Sequence, residues 1–378
     1  MSELINTRNT QTIIRSKLLT GVSALALTVY VSSANMAKAE DADRPTVWIE
    51  LGGQMENASG LGANFAPGFL TAYPGSPVIW KGVSPLEAQH LPLSFGDEGR
   101  ISLQPKDSDW SLTAAVQYGR SGNRTHVHHQ TSRVFTGQPG TASQIAPPKT
   151  DIERFADTKA DGSESHLIAD FSVGKDVGLG LFGSASSSTI DIGVRFAQFA
   201  SRKNIDLRAR PDFNITKYFN NFPIATFHNY YVVGQASRSF HGLGPMLSWN
   251  NSMPFAGSTQ DGEIAMDWGV NAGVLFGKQS VQVLHHESAQ KFHGFPGIGK
   301  YSSVYNHTPL PRDEKRSVTV PNVGGFAGLS YRYSDAKISV GYRADLFVNA
   351  MDTGIDASNS SNVLFHGPYA TVSIGLGG

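Results

Sequence analysis

The chain contains no cysteine among its 378 residues. That excludes a disulfide scaffold and thiolate metal sites. Charge is scarce as well: Asp, Glu, Lys and Arg make up 16%, against about 25% in soluble domains. The formal net charge is zero, so nothing favours a nucleic-acid partner. Beyond residue 40 no apolar run approaches the roughly 20 residues of a membrane-crossing helix. A membrane role would therefore fall to strands, because only helices and closed barrels pair every backbone polar group in lipid. Glycine, by contrast, is abundant at 40 residues, as expected where backbones bend and inward faces stay small.

The N-terminus reads as an export signal. Arg8, Arg15 and Lys17 supply the basic region, and Leu18 to Val31 the apolar one. Ala37-Lys38-Ala39 fits the small-x-small cleavage rule. The expected division is a signal peptide over 1–39 and a single mature domain over 40–378.

What the mature chain does have is a recurring period of two. In Tyr369 to Gly377, Ala370, Val372, Ile374 and Leu376 alternate with Thr371, Ser373, Gly375 and Gly377. Strand side chains alternate between faces, so one face is apolar and the other small and polar. The pattern returns at Val47-Ile49-Leu51, Leu112 to Tyr118, Leu167 to Val173 and Ile190 to Phe196. It is longest at Ile264 to Phe276 and clearest in the pair Ala327–Tyr333 and Ile338–Leu346. Tight turns at Lys106-Asp107-Ser108-Asp109 and Ser334-Asp335-Ala336-Lys337 alternate with long polar stretches near 54–96, 120–164, 203–236 and 278–316. These stretches are read as loops.

A soluble sandwich also alternates, but its turn signals recur every 8–12 residues or so. The predicted fold is therefore all-β: a transmembrane antiparallel barrel of about ten strands, twelve being possible. Its short turns are periplasmic, at Asp107 and Asp335, and its long loops extracellular. Pro245, inside a weak sixth strand, and the glycine ending fit this pattern least well.

Two C-terminal segments carry a family resemblance. Ile338-Ser339-Val340-Gly341-Tyr342-Arg343-Ala344-Asp345-Leu346-Phe347 is followed by Ala350-Met351-Asp352. Phe365-His366-Gly367-Pro368-Tyr369 then leads into Val372 to Gly377. Together they resemble the C-terminal strands of the Legionella major outer-membrane-protein family. The resemblance implies a pore-forming barrel of the cell outer membrane and supplies no catalytic residues.

The inward faces carry Glu50, Asp170, Asp191, Arg195, Asp267, Arg332, Arg343 and Asp345. Charges of both signs are costly in lipid, so these are the pore-lining candidates. Passive diffusion of small hydrophilic solutes is the expected function. A non-conducting surface barrel, acting through its loops in adhesion or envelope integrity, is the alternative. Asp267, in the longest alternating segment, is expected at the constriction, and the excess of acids predicts weak cation preference. The histidines at 126, 128, 129, 285, 286, 293 and 307 are read as solvated loop residues, with no metal site. Expected partners are outer-membrane lipid and lipopolysaccharide, the barrel-assembly machinery and small hydrophilic solutes. No cofactor is expected, and no enzyme motif is recognisable.

Overall fold

The computed structural model describes residues 46–60, 94–105, 108–133, 153–177, 187–210, 214–219, 222–258, 261–294 and 299–376. The expected signal peptide and the turn residue Asp107 lie outside them. Twelve antiparallel strands follow in order: β1 (Thr46–Ser59), β2 (Ser94–Gln104), β3 (Trp110–Arg133), β4 (Glu153–Asp176), β5 (Ser187–Arg210), β6 (Asn214–Phe219), β7 (Phe222–Ser258), β8 (Gly262–Gly294), β9 (Lys300–His307), β10 (Arg312–Tyr333), β11 (Ala336–Asp352) and β12 (Ser360–Leu376).

Ten strands close into a ring, because β7 pairs with both β5 and β8 and β1 pairs with β12. β6 pairs with β7 beyond the end of β5, and β9 pairs with β8 beyond the end of β10. Each prolongs its neighbour. The short connections β2–β3, β7–β8 and β10–β11 lie at one end, together with the start of β1 and the finish of β12. Closure leaves no unpaired sheet edge at the level of lipid.

Outward-facing apolar residues form a continuous belt. Ile192 is 67% exposed and Val340 53%. Leu51, Leu112, Phe171, Leu247, Val270, Leu329 and Val372 are exposed beside them. Water would disfavour such a surface, and a hydrocarbon layer would welcome it.

The belt ends at one register row. Phe196, Leu243 and Phe276 lie side by side on β5, β7 and β8. The next outward row reads Gln198, His241, Lys278 and Ser317. From there the alternation keeps its period but changes sense. On β8, Ile264 to Phe276 face out as apolar residues, whereas above them Lys278, Ser280, Gln282, His286, Ser288 and Gln290 face out, with Leu284 the one apolar residue among them. Val281, Val283 and Ala289 there turn inward and are buried. On β5, Leu207 and Ala209 are buried inside while Arg202, Asn204 and Arg208 are exposed outside.

This corrects the reading of three polar stretches as loops. Much of 120–164, 203–236 and 278–316 is strand, continuing the barrel wall outward. β7 runs for 37 residues and β8 for 33, whereas about 10 suffice to cross a bilayer. The wall is uneven, since β1, β2, β11 and β12 have 14, 11, 17 and 17 residues. Pro245 sits in β7 where ladder partners to β8 are missing between Leu243 and Met246, as a residue without N–H allows.

Candidate functional site

The inward candidates meet in the lumen, and the register shows how. One hydrogen-bonded row passes Arg195, Asp170, Ala115, Arg100, Glu50, Ser373, Lys337, Arg332 and Glu263 in successive strands. Charges of opposite sign recur along it, which is how neighbouring strands stabilise a polar face. The row leaves β7 at Gly244 and returns to it at Gly257, so the strands are steeply tilted.

Within this frame each candidate has a partner. Arg195 forks onto Asp170, with Nε and Nη2 each 2.8 Å from a carboxylate oxygen. Its Nη1 donates to Asn271 Oδ1 at 2.8 Å and lies 3.9 Å from Asp345. Arg343 donates to Glu98 Oε2 at 2.6 Å and rests over the Tyr369 ring. Asp191 accepts from Ser248 and Asn250, at 3.1 and 2.7 Å. Glu50 accepts from Ser373 Oγ at 2.9 Å. Arg332 lies 5.6 Å from the Trp48 ring centre. Bidentate and charge-assisted bonds of this kind offset the cost of holding ions away from bulk water.

Asp170, Asp191, Arg195, Arg343 and Asp345 surround a lumenal chamber of about 120 Å³. Room for it comes partly from glycine: Gly269 lines the chamber, and a Cβ there would press into the Asn250 and Phe326 side chains. A larger groove of 520 Å³ lies outside the lumen, against Phe196, Leu243 and Phe276.

Asp267 is not at the narrow section. Five residues from the β7–β8 turn, it is held by Lys337 Nζ at 2.5 Å and by Ser252 Oγ at 2.6 Å. The tight section lies outward of the chamber and is apolar. Phe199, Phe240, Leu275, Val320, Phe347, Met351 and Val363 are all fully buried there, with Ile168 and Phe365 beside them. Phe199 and Phe347 meet edge to face with centroids 4.7 Å apart. A bulge in β11 between Phe347 and Met351, with Asn349 in the left-handed region at φ 57°, turns Ala350 and Met351 into this layer.

Above the layer, the β11–β12 connection is clamped by arginines of the neighbouring β10 and of β7. Arg312 donates to Asp352 Oδ2 at 2.7 Å and to the Gly354 carbonyl at 3.1 Å. Arg238 donates to the same carbonyl at 3.1 Å, and Arg316 reaches Gln279 and Ser360. Burial alone would push the Asp352 carboxyl up. Hydrogen bonds from Arg312, the Asn359 amide, Ser358 and the Gly354 amide outweigh it and hold that carboxyl far below the usual carboxylate range.

Glu98, Arg100, Lys337, Arg238 and Arg312 escaped the sequence reading. For Glu98 and Arg100 the signal was present: they share the parity of Ser102, which faces Thr113 in the lumen at 3.0 Å. His285 and His307 are corrected too. His285 is buried on the inner face of β8, and His307 sits on β9 opposite Glu287. The side chains of His126, His128 and His129 lie outside the described residues.

Fold and lumen together define a transmembrane β-barrel with a charged inner chamber. No protein-family model and no curated protein matches the chain. Among solved structures, a deletion mutant of the TodX monoaromatic hydrocarbon channel aligns over 90% of this chain and 91% of its own, at 9% identity and a TM-score of 0.20. OmpT of Vibrio cholerae aligns over 90% and 100%, at 8% identity and a TM-score of 0.15. OprB of Pseudomonas putida aligns over 88% and 94%, at 8% identity and a TM-score of 0.15. Likeness at this level is too slight to identify this chain.

Proposed function

We propose that this chain is a pore-forming protein of the cell outer membrane, for small hydrophilic solutes, and that its pathway is shut at the apolar layer. One observation carries the reading: a chamber lined by paired charges lies in the membrane section, and buried apolar side chains close it on its outer side. A structural plug has no need of buried ions, because well-packed apolar residues of similar volume serve as well or better. Hydrophobic constrictions close pores by dewetting, and Phe199, Phe240 and Phe347 are suited to that role. The β11–β12 connection above them is the part whose release would open the path. The resemblance of Ile338–Gly377 to the Legionella major outer-membrane-protein family supports the same reading.

Liposome swelling tests it. Vesicles carrying Phe240→Ala/Phe347→Ala protein should swell in small sugars faster than vesicles carrying the parent. If the truncated protein folds, shown by heat-modifiable gel mobility, and remains impermeable, the reading fails. The dry layer itself favours a second reading, a non-conducting surface barrel acting through its tall outer wall. That outcome would support it.

A further inference from the structure

The outer wall gathers three metal-ligating side chains that the lumen does not use. His285 and Glu287 share the inner face of β8, two residues apart. His307 stands opposite Glu287 on β9. Asp356 comes from the β11–β12 connection. One ligand atom from each of His285, His307 and Asp356 lies within 4.8 Å of the other two.

We infer that His285, His307 and Asp356 form a binding site for a divalent transition-metal ion of the zinc type. Three observations converge on it. The His285 side chain is only 3% exposed, and its Nε2 has no hydrogen-bond partner. A buried ring nitrogen that makes no hydrogen bond is costly unless something completes its bonding. That nitrogen lies 3.4 Å from Asp356 Oδ1 and 3.9 Å from Glu287 Oε1. Metal–ligand bonds of about 2.0–2.1 Å set the edge of a tetrahedron at about 3.4 Å, so the His285–Asp356 pair already has the spacing of two zinc ligands. The His285 and His307 rings have centroids 5.8 Å apart at 54°, an arrangement from which both can aim at one point.

The donor set decides the class of ion. Two imidazoles and one or two carboxylates suit zinc, and also copper(II) and nickel(II). They do not suit calcium or magnesium, which prefer all-oxygen shells. Copper(I) would ask for soft sulfur ligands, and the chain has no cysteine. Bound metal would tie the β11–β12 connection to the tall wall beside the Arg312–Asp352 clamp. It would then secure the cap from a second side.

The test uses the full mature chain in detergent, without a histidine tag. Protein stripped with EDTA is loaded with zinc, freed of excess by gel filtration and assayed for metal. His286→Ala is the control, because His286 faces outward on the same strand and pairs with Thr308 at 2.6 Å. The expected result is that His285→Ala and His307→Ala each hold roughly one zinc ion per chain less than the parent, while His286→Ala holds as much. Asp356→Asn, at an exposed loop position, guards against misfolding of the buried variants. It should weaken zinc binding in a competition titration by about tenfold or more. Parent protein that retains no zinc overturns the site. So does unchanged zinc retention in folded His285→Ala, or an unchanged affinity in Asp356→Asn.

Discussion

Consider β8 on either side of Phe276. Below it Ile264, Met266, Trp268, Val270, Ala272 and Val274 face out, and Asp267, Gly269, Asn271 and Gly273 face in. Above it Lys278, Ser280, Gln282 and His286 face out, Leu284 alone among them being apolar, while Val281, Val283 and Ala289 are buried inside. Backbone geometry and ladder are the same in both sections. Only the surroundings differ: hydrocarbon rewards an apolar exterior, and water rewards a polar one. The same strand is thus built inside out in the membrane and as an ordinary half-buried sheet above it. β5 and β7 reverse at the same register row, which marks the outer edge of the lipid without reference to loops.

The strongest way to break this comparison is to place a charge on the apolar face of each section. Val340→Arg, facing lipid, should cost about 2–4 kcal/mol of barrel stability. Val283→Asp, facing inward above the membrane, should cost a similar amount by burying an unpaired charge, about 2–4 kcal/mol. Gln282→Arg, its outward neighbour, should change stability by less than about 0.5 kcal/mol. Unfolding in urea from lipid vesicles reads all three. A heavy loss in Gln282→Arg would mean that lipid reaches higher than the Phe276 row.

A smaller effect is expected at the clamp over the mouth. Arg312→Ala leaves Asp352 without its nearest cation and should cost about 1–3 kcal/mol, felt first as protease cleavage between Gly354 and Asn359. Acid should mimic it. The Asp352 carboxyl is depressed in the folded protein, so its stabilisation is complete above the ordinary carboxylate value of about 3.9. That contribution is lost as pH falls from there towards the depressed folded value. Cleavage of the connection by an acid protease should rise over that range, and a cap equally protected throughout it would contradict the assignment.

The mildest change concerns Asp267. Because Lys337 already neutralises it near the short-turn end, Asp267→Asn should shift the cation-to-anion permeability ratio only slightly in any conducting form. A large shift would return Asp267 to the limiting section.

The barrel was legible in the sequence because Ile264–Phe276 and Ile338–Leu346 alternate with apolar residues on the lipid side. The outer wall was not, because at Lys278 and at Gln198 the alternation reverses, and a reading keyed to apolar-out residues sees the pattern stop. Leu207, Val281 and Val283 keep the period, in the opposite phase. The charged chamber was readable from Asp170, Arg195, Arg343 and Asp345. The apolar layer was hidden by the assumption that inward means polar, although Phe199 has the parity of Arg195 and Phe347 that of Asp345. Pairings such as Arg343 with Glu98, from strands distant in sequence, depend on barrel closure and tilt. Neither is written in a single segment.

Single-channel recording of the parent beside Phe240→Ala/Phe347→Ala tests most directly whether the apolar layer closes a polar path. The parent should be silent or open only briefly in planar bilayers, and the truncated protein should give steady steps. A large, steady conductance in the parent that truncation leaves unchanged would contradict the account, as would silence from correctly folded truncated protein.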